Sequence, residues 1–160
     1  MHSKGCAIEG TDTSGFAEAV RIGREADIII AVIGESKDMS GEASSRAHIT
    51  IPGVQEQFIK ALVATGKPVV VVLMNGRPLT FPWIAEHASA IVEAWWLGSR
   101  GGPAIGDVLY GDYNPSGKLT MTFPRDIGQV PIYYNLKNTG RPYDPNTKWN
   151  SRYQDIVNSP

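Results

Sequence analysis

One stretch, Asp27 to Pro52, constrains this chain more than any other. It opens on an apolar, β-branched run, Ile28 to Ile33. It breaks at Gly34 into a polar loop carrying Glu35, Asp38, Glu42, Ser44, Ser45 and Arg46, and it closes at Ile51-Pro52. A buried strand that feeds a long polar loop at its carboxyl end is where open α/β sheets place their ligand sites. The chemistry of the chain is therefore sought first in that loop.

The flanking sequence supports such a sheet. Ser14 or Thr13 is expected to cap a helix packing through Ala17, Val20, Ile22 and Ala26. Pro52 is expected as the first residue of a second helix, with Val54, Phe58, Ala61, Leu62 and Thr65 at helical spacing and Gly66 ending it. Pro68 to Met74 is a continuous apolar run, as in a parallel strand covered on both faces. Asn75-Gly76-Arg77-Pro78 reads as a turn, Pro82 to Ala88 as a short helix, Ala90 to Trp96 as a strand and Pro103 to Tyr110 as a helix stopped by Gly111. Lys118 to Phe123 alternates like a half-exposed edge strand. Alternating elements joined by short loops imply an α/β fold: a mostly parallel sheet flanked by helices on both faces, a flavodoxin-like three-layer sandwich. The boundaries expected are 1–124 for the sandwich, without its first strand, and 125–160 for an irregular Pro- and Tyr-rich arm. In that arm Tyr133, Tyr134, Tyr143, Trp149 and Tyr153 would serve as aromatic anchors.

Composition narrows the functions available. A formal charge of −1 creates no global field for nucleic acid or an anionic membrane. No apolar run approaches the roughly 18–20 residues of a membrane span. A single cysteine, Cys6, excludes an internal disulfide, and the three histidines are scattered without CxxC or HExxH spacing, so neither a metal nor a cofactor is expected.

Within the loop, Gly41 lets the backbone bend before Glu42, and Arg46 stands four residues on, in reach of a pair with it. Read from the residues alone, Glu42 is either a solvated loop glutamate or a general acid tuned by burial or a second carboxylate. Glu35, at the strand end, caps the loop or orients something in the crevice. Glu93 lies inside an apolar strand and needs a partner there. The Gly98–Gly102 loop leads into a helix N-terminus but lacks GxGxxG or P-loop spacing, so tight strand-to-helix packing is its default. Trp83, Trp95 and Trp96 are core residues or faces for stacking a sugar.

Several segments together resemble one family. GESKDMSGEASSR, ITIPGVQEQFIKAL, TGKPVVVVLMNGRPL, AIVEAWWLGSRGGPAIGDVLYGDYNPSGKLTMTFP and VPIYYN, spread over about Lys4 to Pro160, are similar to the C-terminal α/β-sandwich domain of family 3 glycoside hydrolases, nearest the periplasmic β-glucosidases. The resemblance implies a retaining exo-acting hydrolase of β-linked glucosides. Its nucleophile is an aspartate on an N-terminal (β/α)8 barrel, and a fibronectin-III-like domain follows in many members. It implies a periplasmic or secreted parent, of which this chain would be a piece. It carries the acid/base role to Glu42, with Gly41, Ser45 and Arg46 as the supporting loop. The family pattern has Gly at the Ala43 position, Asp at the Ser45 position and an acidic residue at the Arg100 position. Against this reading stand a non-catalytic packing or sugar-binding module, the branch acting on N-acetylhexosamines, whose acid/base comes from the barrel, and a flavodoxin-like ligand domain.

Overall fold

The computed structural model describes residues 1–135, 137 and 140–159. Leu136, Asn138, Thr139 and Pro160, which the expected arm includes, lie outside the described residues. Three parallel strands, β1 (Ile29–Gly34), β2 (Val69–Met74) and β3 (Ala90–Glu93), lie in the order β1-β2-β3. Ile29 pairs with Val69 and Val70 with Ala90. The connections are helical: α1 (Phe16–Glu25) precedes β1, α2 (Gln55–Val63) joins β1 to β2, α3 (Pro82–His87) joins β2 to β3, and α4 (Gly101–Tyr110) follows β3. This is the α/β arrangement that the alternating sequence requires.

The core forms on one side of the sheet. Ala31, Ile33, Val69, Val71 and Leu73 pack there with Ala19 of α1, Phe58, Ile59 and Leu62 of α2, and Ile84 of α3. Ile59 is fully buried, and its truncation to alanine would cost about 2–5 kcal/mol. On the opposite side Val72 of the central strand is also fully buried, as the expectation of two covered faces requires for β2. β1 departs from it, because Ile28, Ile30 and Val32 are 56%, 45% and 61% exposed. As the outer strand of the described sheet, β1 has its apolar residues covered on the core side only.

Several boundaries differ from those read in the sequence. α1 is preceded by Gly15 and has no side-chain cap from Ser14 or Thr13. Its buried residues are Ala19 and Gly23, while Ala17 is exposed. α2 begins at Gln55, not Pro52. The Gln55 amide explains the shift: it accepts from Gly34 N at 2.8 Å and donates to the carbonyls of Gly34, Ile8 and Pro52 at 2.8, 3.1 and 3.1 Å. These bonds hold the approach to the helix against the end of β1. β3 stops at Glu93, because Trp95 turns to φ 51° and donates its amide to Glu93 Oε1 at 2.9 Å. α4 starts at Gly101 and ends, as expected, at Gly111 in the left-handed conformation.

The expected edge strand Lys118–Phe123 does not form. A strand exists only through its ladder of backbone bonds, and among the described residues none pairs with this segment; Leu119 and Met121 stand exposed. Beyond it the described chain is irregular apart from a 3-10 turn, Ile127–Gln129, closed by a reciprocal Asp126/Gln129 cap. The aromatic residues expected to anchor this arm are instead exposed, Tyr134 and Trp149 most of all. The arm is tied by polar bonds, including Tyr153 Oη to Gly128 O at 3.2 Å and Arg125 Nε to Ser159 O at 3.1 Å.

Candidate active site

A parallel sheet delivers the carboxyl ends of all its strands to one side. Here Glu35 follows β1, Asn75-Gly76-Arg77 follows β2, and Glu93 closes β3. Glu35 is the hub. Its side chain is wholly buried, and a buried carboxylate requires both charge and hydrogen-bond compensation. Arg46 Nη1 donates to its Oε1 at 2.7 Å, and Arg77 Nε stands 3.0 Å from the same oxygen, close enough to pair in charge although not aimed for a hydrogen bond. The Gly76 amide donates to Oε2 at 3.1 Å.

The two guanidinium groups extend this hub into the loop. Arg77 Nη2 donates to the carbonyls of Met39 and Ser44, the latter at 3.0 Å. Arg46 Nη2 donates to Thr50 O at 3.3 Å. The loop exit is pinned again where Thr80 N donates to Ile49 O at 2.8 Å and Thr50 bridges Thr80. Ser40 comes so close to Gly76 that a side chain there would collide with Ser40 Oγ and the Trp96 indole nitrogen.

Glu42 sits between these anchors. It is exposed, flanked by Gly41 at φ 132° and Ala43 at φ 58°. The first is a conformation open to glycine, and the second is the left-handed region that strains alanine. Ser44 closes the turn, its amide donating to Gly41 O at 3.2 Å and its hydroxyl to Glu42 O at 3.3 Å. Among the described residues the Glu42 carboxyl makes no hydrogen bond or ion pair. The Arg46–Glu42 pair that the spacing allows does not form: Arg46 goes to Glu35, where desolvation makes a partner necessary, while Glu42 stays in water. Ser45 is exposed and makes no hydrogen bond among the described residues.

Among the described residues Glu93 has no cationic partner of the kind its strand position calls for. Burial pushes its carboxyl up to about 7, and the hydrogen bond from the Trp95 amide and the nearby Asn75 side chain pull it back only part of the way. Of the tryptophans, Trp95 packs against Phe123 with ring centres 5.7 Å apart, Trp83 stacks on His87 at 4.1 Å, and Trp96 is 42% exposed.

Sequence reasoning missed Arg77, Asn75 and Gln55. Arg77 had a signal, a cation in a tight turn at the carboxyl end of the most apolar strand, but no spacing rule couples it to a loop 33 residues earlier. Gln55 had none, since a polar residue in the first helical turn is ordinarily solvated.

The model of the glycosyl hydrolase family 3 C-terminal domain matches residues 4–154. This chain belongs to that family. As a family 3 C-terminal domain, it is 57% identical over 145 residues to the periplasmic beta-glucosidase of Salmonella typhimurium, covering 89% of this chain and 19% of the relative. It is 47% identical over 133 residues to a beta-xylosidase of Formosa agariphila, covering 83% and 18%. The crystal structure of a beta-glucosidase from Listeria innocua in complex with gluconolactone superposes on it with a TM-score of 0.91 at 38% identity, over 97% of this chain and 22% of that one. The family 3 domain described here thus spans about a fifth of the length of the relatives it matches.

Proposed function

We propose that this chain is the second domain of a retaining exo-acting β-glucosidase and that Glu42 is its acid/base. One observation carries the reading. Glu42 stands on a loop at the carboxyl end of the sheet with a carboxyl that is free among the described residues, and that loop is tied at Met39 and Ser44 by Arg77 from the end of β2 and through its own Arg46 to Glu35 at the end of β1. A proton donor that serves a site completed by another domain must be rigidly carried yet unengaged.

In the proposed reaction an aspartate of the barrel domain attacks the anomeric carbon of a terminal β-glucoside. The glycosidic C–O bond breaks as Glu42 hands its proton to the leaving oxygen. The Glu42 carboxylate then takes a proton from water, which attacks the anomeric carbon and releases the aspartate and glucose. The carboxyl groups of such a pair lie about 5–5.5 Å apart, so the domain interface sets the geometry. No cofactor enters this scheme. Glucose is preferred to xylose as the substrate sugar because the Salmonella beta-glucosidase is the more similar of the two relatives. The same relative favours a periplasmic parent.

The test is a series of aryl glucosides on the complete hydrolase carrying Glu42→Gln. Poor leaving groups, which need the proton, should slow by about 100-fold or more, while 2,4-dinitrophenyl glucoside should cleave at nearly the normal rate in the glycosylation step. Equal slowing of both contradicts the assignment.

A further inference from the structure

We infer that Arg77 is a positioning residue for Glu42, acting with Glu35 as its counterion; this rests on the acid/base reading of Glu42 given above. Arg77 belongs to the turn after β2, whereas Glu42 belongs to the loop after β1. One nitrogen of Arg77 bridges the two elements. Its Nη2 takes the carbonyls of Met39 and Ser44, three residues before Glu42 and two after it. The turn that lifts the Glu42 carboxyl is therefore held at both feet by a single planar group.

The rest of the cluster keeps that group still. The Arg77 Nε stands 3.0 Å from Glu35 Oε1, so its charge is balanced at the root. Its own backbone carbonyl accepts from Asn75 Nδ2 at 2.6 Å, and Asn75 is fully buried. The neighbouring Gly76 amide donates to Glu35 Oε2. Arg77 thus leaves the sheet at a fixed angle, with only 16% of its side chain exposed. The reach of a guanidinium to two acceptors while its Nε faces a third is a geometry that lysine cannot reproduce, because an ammonium is a point donor on a flexible stem. Two carbonyls on one nitrogen also help the loop keep its shape beyond its short 3-10 turn, Lys37–Met39: acceptors left over there are satisfied from the neighbouring strand end.

A positioning role makes a demand that general stability does not. Loss of Arg77 should harm only the step in which Glu42 moves a proton. In the complete hydrolase, Arg77→Met is expected to lower kcat/KM about 50-fold or more for phenyl glucoside and less than about 3-fold for 2,4-dinitrophenyl glucoside. On a Glu42→Gln background the same change should add no more than about 2-fold for phenyl glucoside, because the two residues act as one unit. Arg77→Lys should restore only part of the loss. In the 160-residue chain, backbone order parameters over residues 40–46 should fall in Arg77→Met from about 0.85 towards 0.6, with β2 unchanged. An equal loss on both substrates, a fully additive double variant, or unaltered order at 40–46 overturns the inference. If Glu42→Gln itself shows no leaving-group sensitivity, the acid/base reading falls and takes the catalytic part of this inference with it; the order parameters still report separately whether Arg77 holds the loop.

Discussion

Arg46 reaches back eleven residues to Glu35, its Nη1 standing 2.7 Å from Oε1, and leaves Glu42, four residues away, to solvent. That choice gives two carboxylates different surroundings. Glu35 is buried and doubly paired with arginine; Glu42 is exposed and without a partner among the described residues. Burial decides the matter, since a carboxylate taken out of water needs its partners far more than a hydrated one does.

The Glu35 cluster should therefore dominate the stability of the strand ends. Glu35→Ala leaves two partly buried guanidinium groups without a counterion and is expected to cost about 3–5 kcal/mol. Arg46→Ala should cost less, because Arg77 remains on the same oxygen. Urea unfolding of the two variants gives the comparison, and a larger loss for Arg46→Ala contradicts the hub.

Ala43 stores strain next to Glu42. At φ 58° it occupies a region that costs a non-glycine residue about 1–2 kcal/mol. Ala43→Gly should relieve that strain, less the extra entropy of a glycine in the unfolded chain, for a net gain of under about 1 kcal/mol. Ala43→Val should destabilise, since a branched Cβ is worse placed there. Stabilities ordered glycine, alanine, valine are expected in chemical denaturation; valine equal to alanine contradicts the conformation.

Glu93 makes stability fall with rising pH. Its carboxyl is raised from 4.5 to about 7 by burial in the folded state, so the folded chain keeps a proton that the unfolded chain releases. The resulting stabilisation is complete below about pH 4.5 and is lost as pH climbs to about 7. Glu93→Gln should remove this slope and leave a protein more stable than the natural one at pH 8, measured by thermal unfolding across pH. A slope unchanged in Glu93→Gln assigns it to another group.

The 160-residue chain alone should not hydrolyse aryl glucosides. Retaining hydrolysis needs two carboxyl groups about 5–5.5 Å apart, and in the proposed reaction the second is the aspartate of the barrel domain. Turnover by the purified chain that disappears in Glu42→Gln would contradict the proposed division between two domains.

What the sequence disclosed follows from which interactions are local. The apolar runs at 28–33 and 68–74 announce parallel strands because burial leaves its mark on every residue of a run. The loop that follows β1 is legible because strand ends and polar loops adjoin in sequence. The clamp was not, since the contact of Arg77 with Ser44 spans 33 residues and depends on strand order. Lys118–Phe123 misled for the opposite reason: alternation is a local signal, but a strand requires an edge to pair with, and that information lies outside the segment. The aromatic residues of the arm misled likewise, since a tyrosine anchors only where a surface meets it.

The most direct measurement is the product formed by the complete hydrolase carrying Glu42→Ala, given 2,4-dinitrophenyl β-glucoside and azide. With the good leaving group the glycosyl-enzyme forms without an acid, and azide, which needs no general base, should attack it faster than water does. The expected result is restored turnover with β-glucosyl azide as product. Turnover insensitive to azide, with glucose as the sole product, contradicts the assignment of Glu42.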